Sequence, residues 1–179
     1  MEKIKSLFFE DTLRRWHFED IVKSSSMSRE RVNYYLKALL KEGFIVRTKT
    51  KGKMPFYSAN IDSEKFRSEK RLWGLEILEK SGLFGHLNSL KGVKTAILFG
   101  SFSRGDFGRS SDIDIFVYGN SEDFEKGKFE LKTKREIQLF SYDAPKKIKK
   151  ELDPKLIPNI LKGFNIKGSI EPFRVEINA

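Results

Sequence analysis

Between Ser28 and Gly43, Val32, Tyr35, Leu36, Leu39 and Leu40 recur at helical spacing, which predicts one helix with a buried stripe. Ser28 suits the N-cap of that helix, and Gly43 suits the position just past its end. Arg29, Arg31, Asn33, Tyr34, Lys37 and Lys41 fall largely off the stripe. Two shorter helices are predicted ahead of it, around residues 3–10 and 18–23, the second ended by Ser24, Ser25 and Ser26. After Gly43 the pattern predicts two strands, 44–47 and 55–59. Their connection contains Gly52 and a lysine at every second position, Lys49, Lys51 and Lys53. From 63 to about 90 the pattern is helical again, with a break at Ser81 and Gly82. Phe66, Leu72, Trp73, Leu75, Ile77 and Leu78 are dense enough there to predict burial on more than one side.

The second half reads as a small sheet with helices. Residues 93–99 form an apolar strand, 112–117 its neighbour, and 101–111 a connecting loop rich in Gly, Ser and Arg. A third strand is expected at 135–140. Lys146 to Lys150 carry a basic run on an amphipathic helix, read as a solvated face. A further helix starts with Pro154 near its first position and stops around Gly163, and a short strand over 164–167 follows. The whole is an α/β (α+β) chain of two domains. The first is expected at 1–62, linker helices at 63–91, and the second domain at 92–179.

Composition narrows the chemistry. None of the 179 residues is cysteine, so disulfides and thiolate metal sites are excluded, and His17 and His86 are too few for a histidine-rich metal site. A hard cation on oxygen ligands, Mg²⁺ or Mn²⁺, is what the chain can hold. No apolar stretch reaches the roughly 20 residues of a membrane span, and the charged N-terminus does not read as a signal peptide. A cytoplasmic location without membrane attachment is therefore expected. The net charge is +10, and residues 27–59 carry eight Lys/Arg against only Glu30 and Glu42. Basic excess concentrated in one such stretch points to a polyanionic partner.

Asp112 and Asp114 are separated by one residue in a strand, so they project from one face. Adjacent like charges call for a cation between them, and a divalent metal answers that need. Gly100 and Ser101, at the end of the neighbouring strand, offer close backbone approach and a hydroxyl for phosphate. The combination reads as metal-assisted chemistry on a nucleoside triphosphate.

Gly100, Ser101, Arg104 and Gly105, followed by Ser111, Asp112 and Asp114, closely resemble the minimal nucleotidyltransferases of the DNA polymerase beta superfamily. The resemblance covers roughly residues 90–170. It implies a small mixed sheet flanked by helices, and transfer of a nucleoside monophosphate from a triphosphate, ATP in the first instance, to an acceptor hydroxyl. It also implies that Gly100, Ser101, Arg104 and Ser111 bind the nucleotide and that Asp112 and Asp114 ligate two Mg²⁺ ions. Arg104 has an alternative as the partner of Asp106, and Ser111 as a turn residue. The family places a third carboxylate on a following strand. Here either Glu136 serves as that catalytic metal ligand, or neutral Gln138 fills the slot.

Residues 4–60 resemble the winged helix-turn-helix family. That implies double-stranded DNA read by Arg29, Arg31, Asn33, Tyr34 and Lys37, with Arg47, Lys49, Lys51 and Lys53 on the hairpin wing. Asn33 and Tyr34 would face base edges and the lysines phosphates. A homodimer through the first helix and the linker helix is expected. Minimal nucleotidyltransferases can also act on a HEPN-domain toxin, which makes a protein acceptor a second expectation. If the third slot is neutral, the alternative is a DNA-binding regulator that senses a nucleotide.

Overall fold

The computed structural model describes residues 1–170 and Phe173, and divides the chain into two compact units, 1–70 and 71–179. The division falls within a helix. Among the described residues no helix is long and apolar enough to cross a membrane.

The first unit contains α1 (Glu2–Glu10), α2 (Phe18–Ser25) and α3 (Arg29–Lys41). The hairpin strands β1 (Ile45–Thr48) and β2 (Phe56–Ala59) follow, and then the start of α4 (Glu64–Lys80). Ser26 ends α2 in a left-handed conformation, its N–H donating to the Val22 carbonyl. Ser28 caps α3 by accepting from the Arg31 N–H, and Gly43 leaves the helix at φ +66°. The stripe on α3 is narrower than its sequence spacing suggests: Val32, Leu36 and Leu39 are buried, whereas Tyr35 and Leu40 are half-buried. They join a core in which Phe9, Phe44 and Phe66 meet in pairs at 4.9–5.5 Å. Trp16 exchanges two main-chain hydrogen bonds of 2.8 Å with Tyr57, so the segment between α1 and α2 pairs with the hairpin.

The second unit is a four-stranded mixed sheet in the order β5-β4-β3-β6, comprising β3 (Val93–Phe99), β4 (Ile113–Gly119), β5 (Ile137–Tyr142) and β6 (Phe164–Lys167). β4 runs antiparallel to β3 and parallel to β5. Alternation divides each strand between two cores. Leu98, Ile113, Ile115, Val117 and Ile137 face one side, with Leu78, Leu83 and Leu87 from α4 and α5 (Leu83–Ser89), and Phe129 from α7 (Lys126–Thr133). Ile97, Phe99, Phe116 and Tyr142 face the other, against Ile148 of α8 (Pro145–Glu151) and Ile160 of α9 (Ile157–Leu161).

Three local expectations need correction. Leu72 is exposed, because the apolar residues of α4 do not encircle the helix. Gly74 is buried instead, where a Cβ would lie 2.6 Å from the ring of Phe107. Residues 100–104 form a short helix, α6 (Gly100–Arg104), too brief for any periodicity to betray. The 153–163 segment is a 3-10 turn, Pro154–Leu156, followed by the single-turn α9.

Candidate functional site

β3 ends at Phe99, directly opposite Asp114 of β4, and Gly100 turns the chain at φ +70°. A Cβ on Gly100 would lie 1.9 Å from Asp114 Oδ2, so only glycine fits the turn against that carboxylate. The carbonyl of Ser101 accepts from the N–H groups of Gly105 and Asp106, closing α6. Asp114 lies on the sheet face that carries Phe116 and Phe99, beyond the part covered by α8 and α9. Burial, and then the neighbouring Asp112 charge, push its carboxyl above the usual range, against a smaller opposing pull from Arg104.

The parallel pairing of β4 with β5 brings Gln138 to the two aspartates. Asp114 pairs with Gln138, and Gln138 Nε2 donates to Asp112 Oδ2 at 2.8 Å. The same register continues to Glu136 beside Asp112, one step before the paired strands begin. Glu136 precedes the strand, its carbonyl accepts from the Ile113 N–H, and it lines a groove with Lys126, Glu130 and Lys134 of the α7 region. Among the described residues no three His, Cys, Asp or Glu side chains gather in a group able to hold a metal ion. The donors present, two carboxylates beside a glycine turn, fit one hard oxygen-seeking cation with phosphate oxygens completing its shell. His17 and His86 are engaged elsewhere, with the Pro55 carbonyl and the Glu125 N–H.

The loop between Gly105 and Asp112 is held from outside. Arg135 Nη1 donates to the carbonyls of Gly108 at 2.9 Å and Ser111 at 2.8 Å, and its guanidinium lies over the rings of Phe102 and Phe107. Those two rings stack at 4.1 Å, and Phe107 stacks in turn on Trp73. Burial lowers the pKa of Arg135, and the Asp112 charge partly offsets this. The Ser111 hydroxyl accepts from the Gly108 N–H, which ties it to its own loop, and Arg104 pairs with Asp106 at 3.0 Å. Sequence reasoning missed Arg135 altogether. A single cation ahead of a strand carries no periodic signal, and both of its partners lie more than twenty residues earlier.

On the first unit, Arg29, Arg31, Asn33, Tyr34 and Lys37 of α3 are exposed, as are Arg47, Lys49, Lys51 and Lys53 of the hairpin. Tyr34 is 71 % exposed and packs edge-on against Tyr35. Arg29 is engaged by Glu19 at 2.5 Å. Two further cations flank the hairpin region: Arg14 lies over the ring of Trp16 at 3.8 Å and Arg15 over Phe56 at 5.0 Å.

A search among curated proteins finds no match to this chain. The family comparison is positive, and it spans the sheet, the glycine turn and both aspartates. A family model described as a nucleotidyltransferase domain matches residues 80–175, more than half of the sequence, and the chain belongs to that family.

Proposed function

We propose that the second unit binds a nucleoside triphosphate with a divalent cation at Gly100, Ser101, Asp112 and Asp114, and transfers its nucleoside monophosphate to an acceptor hydroxyl. The observation that carries this reading is the contact between Gly100 and Asp114. It sets a glycine backbone suited to phosphate against a carboxylate suited to the cation, with no side chain between them. Gly100 and Ser101 would hold the triphosphate, and Asp112 and Asp114 the Mg²⁺ or Mn²⁺. The cation supplies charge neutralisation when bound. Arg104, exposed at the end of α6, is free to exchange Asp106 for a phosphate. The acceptor hydroxyl releases its proton to solvent, and its oxygen bonds to the α-phosphorus as the bond to the oxygen bridging to the β-phosphate breaks and pyrophosphate leaves in line.

The first unit supplies the address. Its pattern of three helices, a hairpin, and the Trp16 segment paired with that hairpin supports a winged helix-turn-helix reading. We assign it double-stranded DNA, with α3 towards the bases and the lysine-bearing turn towards the backbone. Dimerisation through α1 belongs to the same proposal.

The test is incubation with labelled ATP, Mg²⁺ and candidate acceptors, a nucleic-acid end and a HEPN-domain toxin partner among them. Label transfer by the wild type and none by Asp112→Ala or Asp114→Ala is expected. Equal transfer by wild type and variants would remove the proposal. A second reading, a DNA-binding regulator that senses nucleotide, is favoured by the neutral Gln138 opposite Asp114. It requires DNA affinity to change when nucleotide and Mg²⁺ are added.

A further inference from the structure

We infer that Gln138 makes this a site for a single divalent cation, carried in with the triphosphate, where a carboxylate at the same position would make it a site for two. The inference rests on the nucleotide-binding reading above. Three observations support it. First, the register places Gln138 directly opposite Asp114, on the face the two aspartates share. Second, its Nε2 already donates to Asp112 Oδ2 at 2.8 Å, so an amide N–H, which cannot coordinate a cation, takes up an oxygen lone pair of the pair. Third, no other carboxylate or imidazole is gathered with Asp112 and Asp114 among the described residues.

The donor count reaches the same result. One divalent cation held by the two carboxylates takes triphosphate oxygens to complete its shell. A second cation would find phosphate oxygens but, among the described residues, no further carboxylate gathered with them to fix it to the protein. Gln138 therefore does two things. It orients Asp112 by a hydrogen bond, and it offers a second ion only a neutral amide oxygen in place of a carboxylate.

The experiment counts ions. Mn²⁺ is titrated into the full chain with the nonhydrolysable analogue α,β-methylene ATP, and free Mn²⁺ is read by electron paramagnetic resonance. The site's own ions are those lost in D112N/D114N. One Mn²⁺ per chain is expected for the wild type and for Q138A, and two for Q138D or Q138E, with the added ion bound about tenfold or more tightly than any second ion in the wild type. Gln138 is exposed, so these variants should fold, and circular dichroism checks that they do. Two ions in the wild type, or one in both acidic variants, would overturn the inference while leaving nucleotide binding intact. Failure of the wild type to bind the analogue at all would instead sink the nucleotide-binding reading, and this inference with it.

Discussion

Gly100 and Asp114 occupy the same small volume: the turn after β3 passes so close to the carboxylate that a methyl group on Gly100 would overlap Oδ2. The turn also needs φ +70°, a conformation that is unfavourable by about 1 kcal/mol or more for any residue with a Cβ. Gly100→Ala should therefore fail twice, by backbone strain and by displacing Asp114. A fall of at least about tenfold in affinity for an ATP analogue is expected, together with a lower melting temperature. Calorimetric titration beside a thermal melt measures both, and unchanged affinity would show that the turn does not form the nucleotide site.

Arg135 is the fastener of the loop that leads into Asp112. Hydrogen bonds from a charged donor to two half-buried carbonyls contribute about 1.5–3 kcal/mol each to holding such a segment, less once solvent screening is counted. Arg135→Met keeps the apolar cover over Phe102 and Phe107 but releases Gly108 and Ser111. Proteolytic nicking within 105–112 should become faster and nucleotide affinity should fall. Arg135→Lys should recover only part of both, because one ammonium cannot reproduce the planar fork. Full recovery by lysine would mean that charge, and not geometry, is what the loop needs.

How much of this was legible in the sequence depended on the range of the interaction that decides each feature. The faces of β4 followed from alternation, so Asp112 and Asp114 were placed together without reference to any partner. Gly43 and Ser28 were readable because caps are local. Alternation could not choose between Glu136 and Gln138, since both positions fall on one face. What alternation could not supply is the pairing of β4 with β5, which sets Gln138 opposite Asp114 and within hydrogen-bond reach of Asp112, twenty-six residues earlier. Leu72 was misjudged because a dense apolar run does not say which side of a helix is covered. The clamp from Arg135 joins residues far apart in sequence, and nothing near position 135 announces it.

Asp114 gives the cation-free protein a defined dependence on pH. Its folded carboxyl holds its proton more tightly than the unfolded chain does, because burial and the Asp112 charge disfavour the anion. The stabilising contribution of that proton is present below the unfolded pKa near 3.8 and is lost as pH rises through the folded value. At neutral pH the anion is thus a net liability to the apo fold. Asp114→Asn should raise the melting temperature of the apo protein at pH 7, while abolishing nucleotide-dependent Mn²⁺ binding. The gain should shrink as pH is lowered towards 4. Melts in a chelator across pH 4–8 test this, and a gain that grows on acidification would reverse the argument.

The hairpin turn and α3 should separate in their response to salt. Lys49, Lys51 and Lys53 are exposed point charges, suited to phosphates and indifferent to base identity. Replacing all three with alanine should weaken binding to every duplex alike, and reduce the slope of log affinity against log salt by about 2–3. Asn33 and Tyr34 lie on the exposed side of α3, and neither carries charge. Asn33→Ala should leave the salt slope alone, yet lose about 1–3 kcal/mol on a preferred duplex relative to a random one. Arg29 is already engaged by Glu19, so Arg29→Ala should change affinity less than Arg31→Ala. Fluorescence anisotropy over a range of KCl concentrations measures all four variants. If the triple lysine variant keeps the wild-type slope, the hairpin does not lie on the nucleic acid, and the polyanion must be sought on another face of the unit.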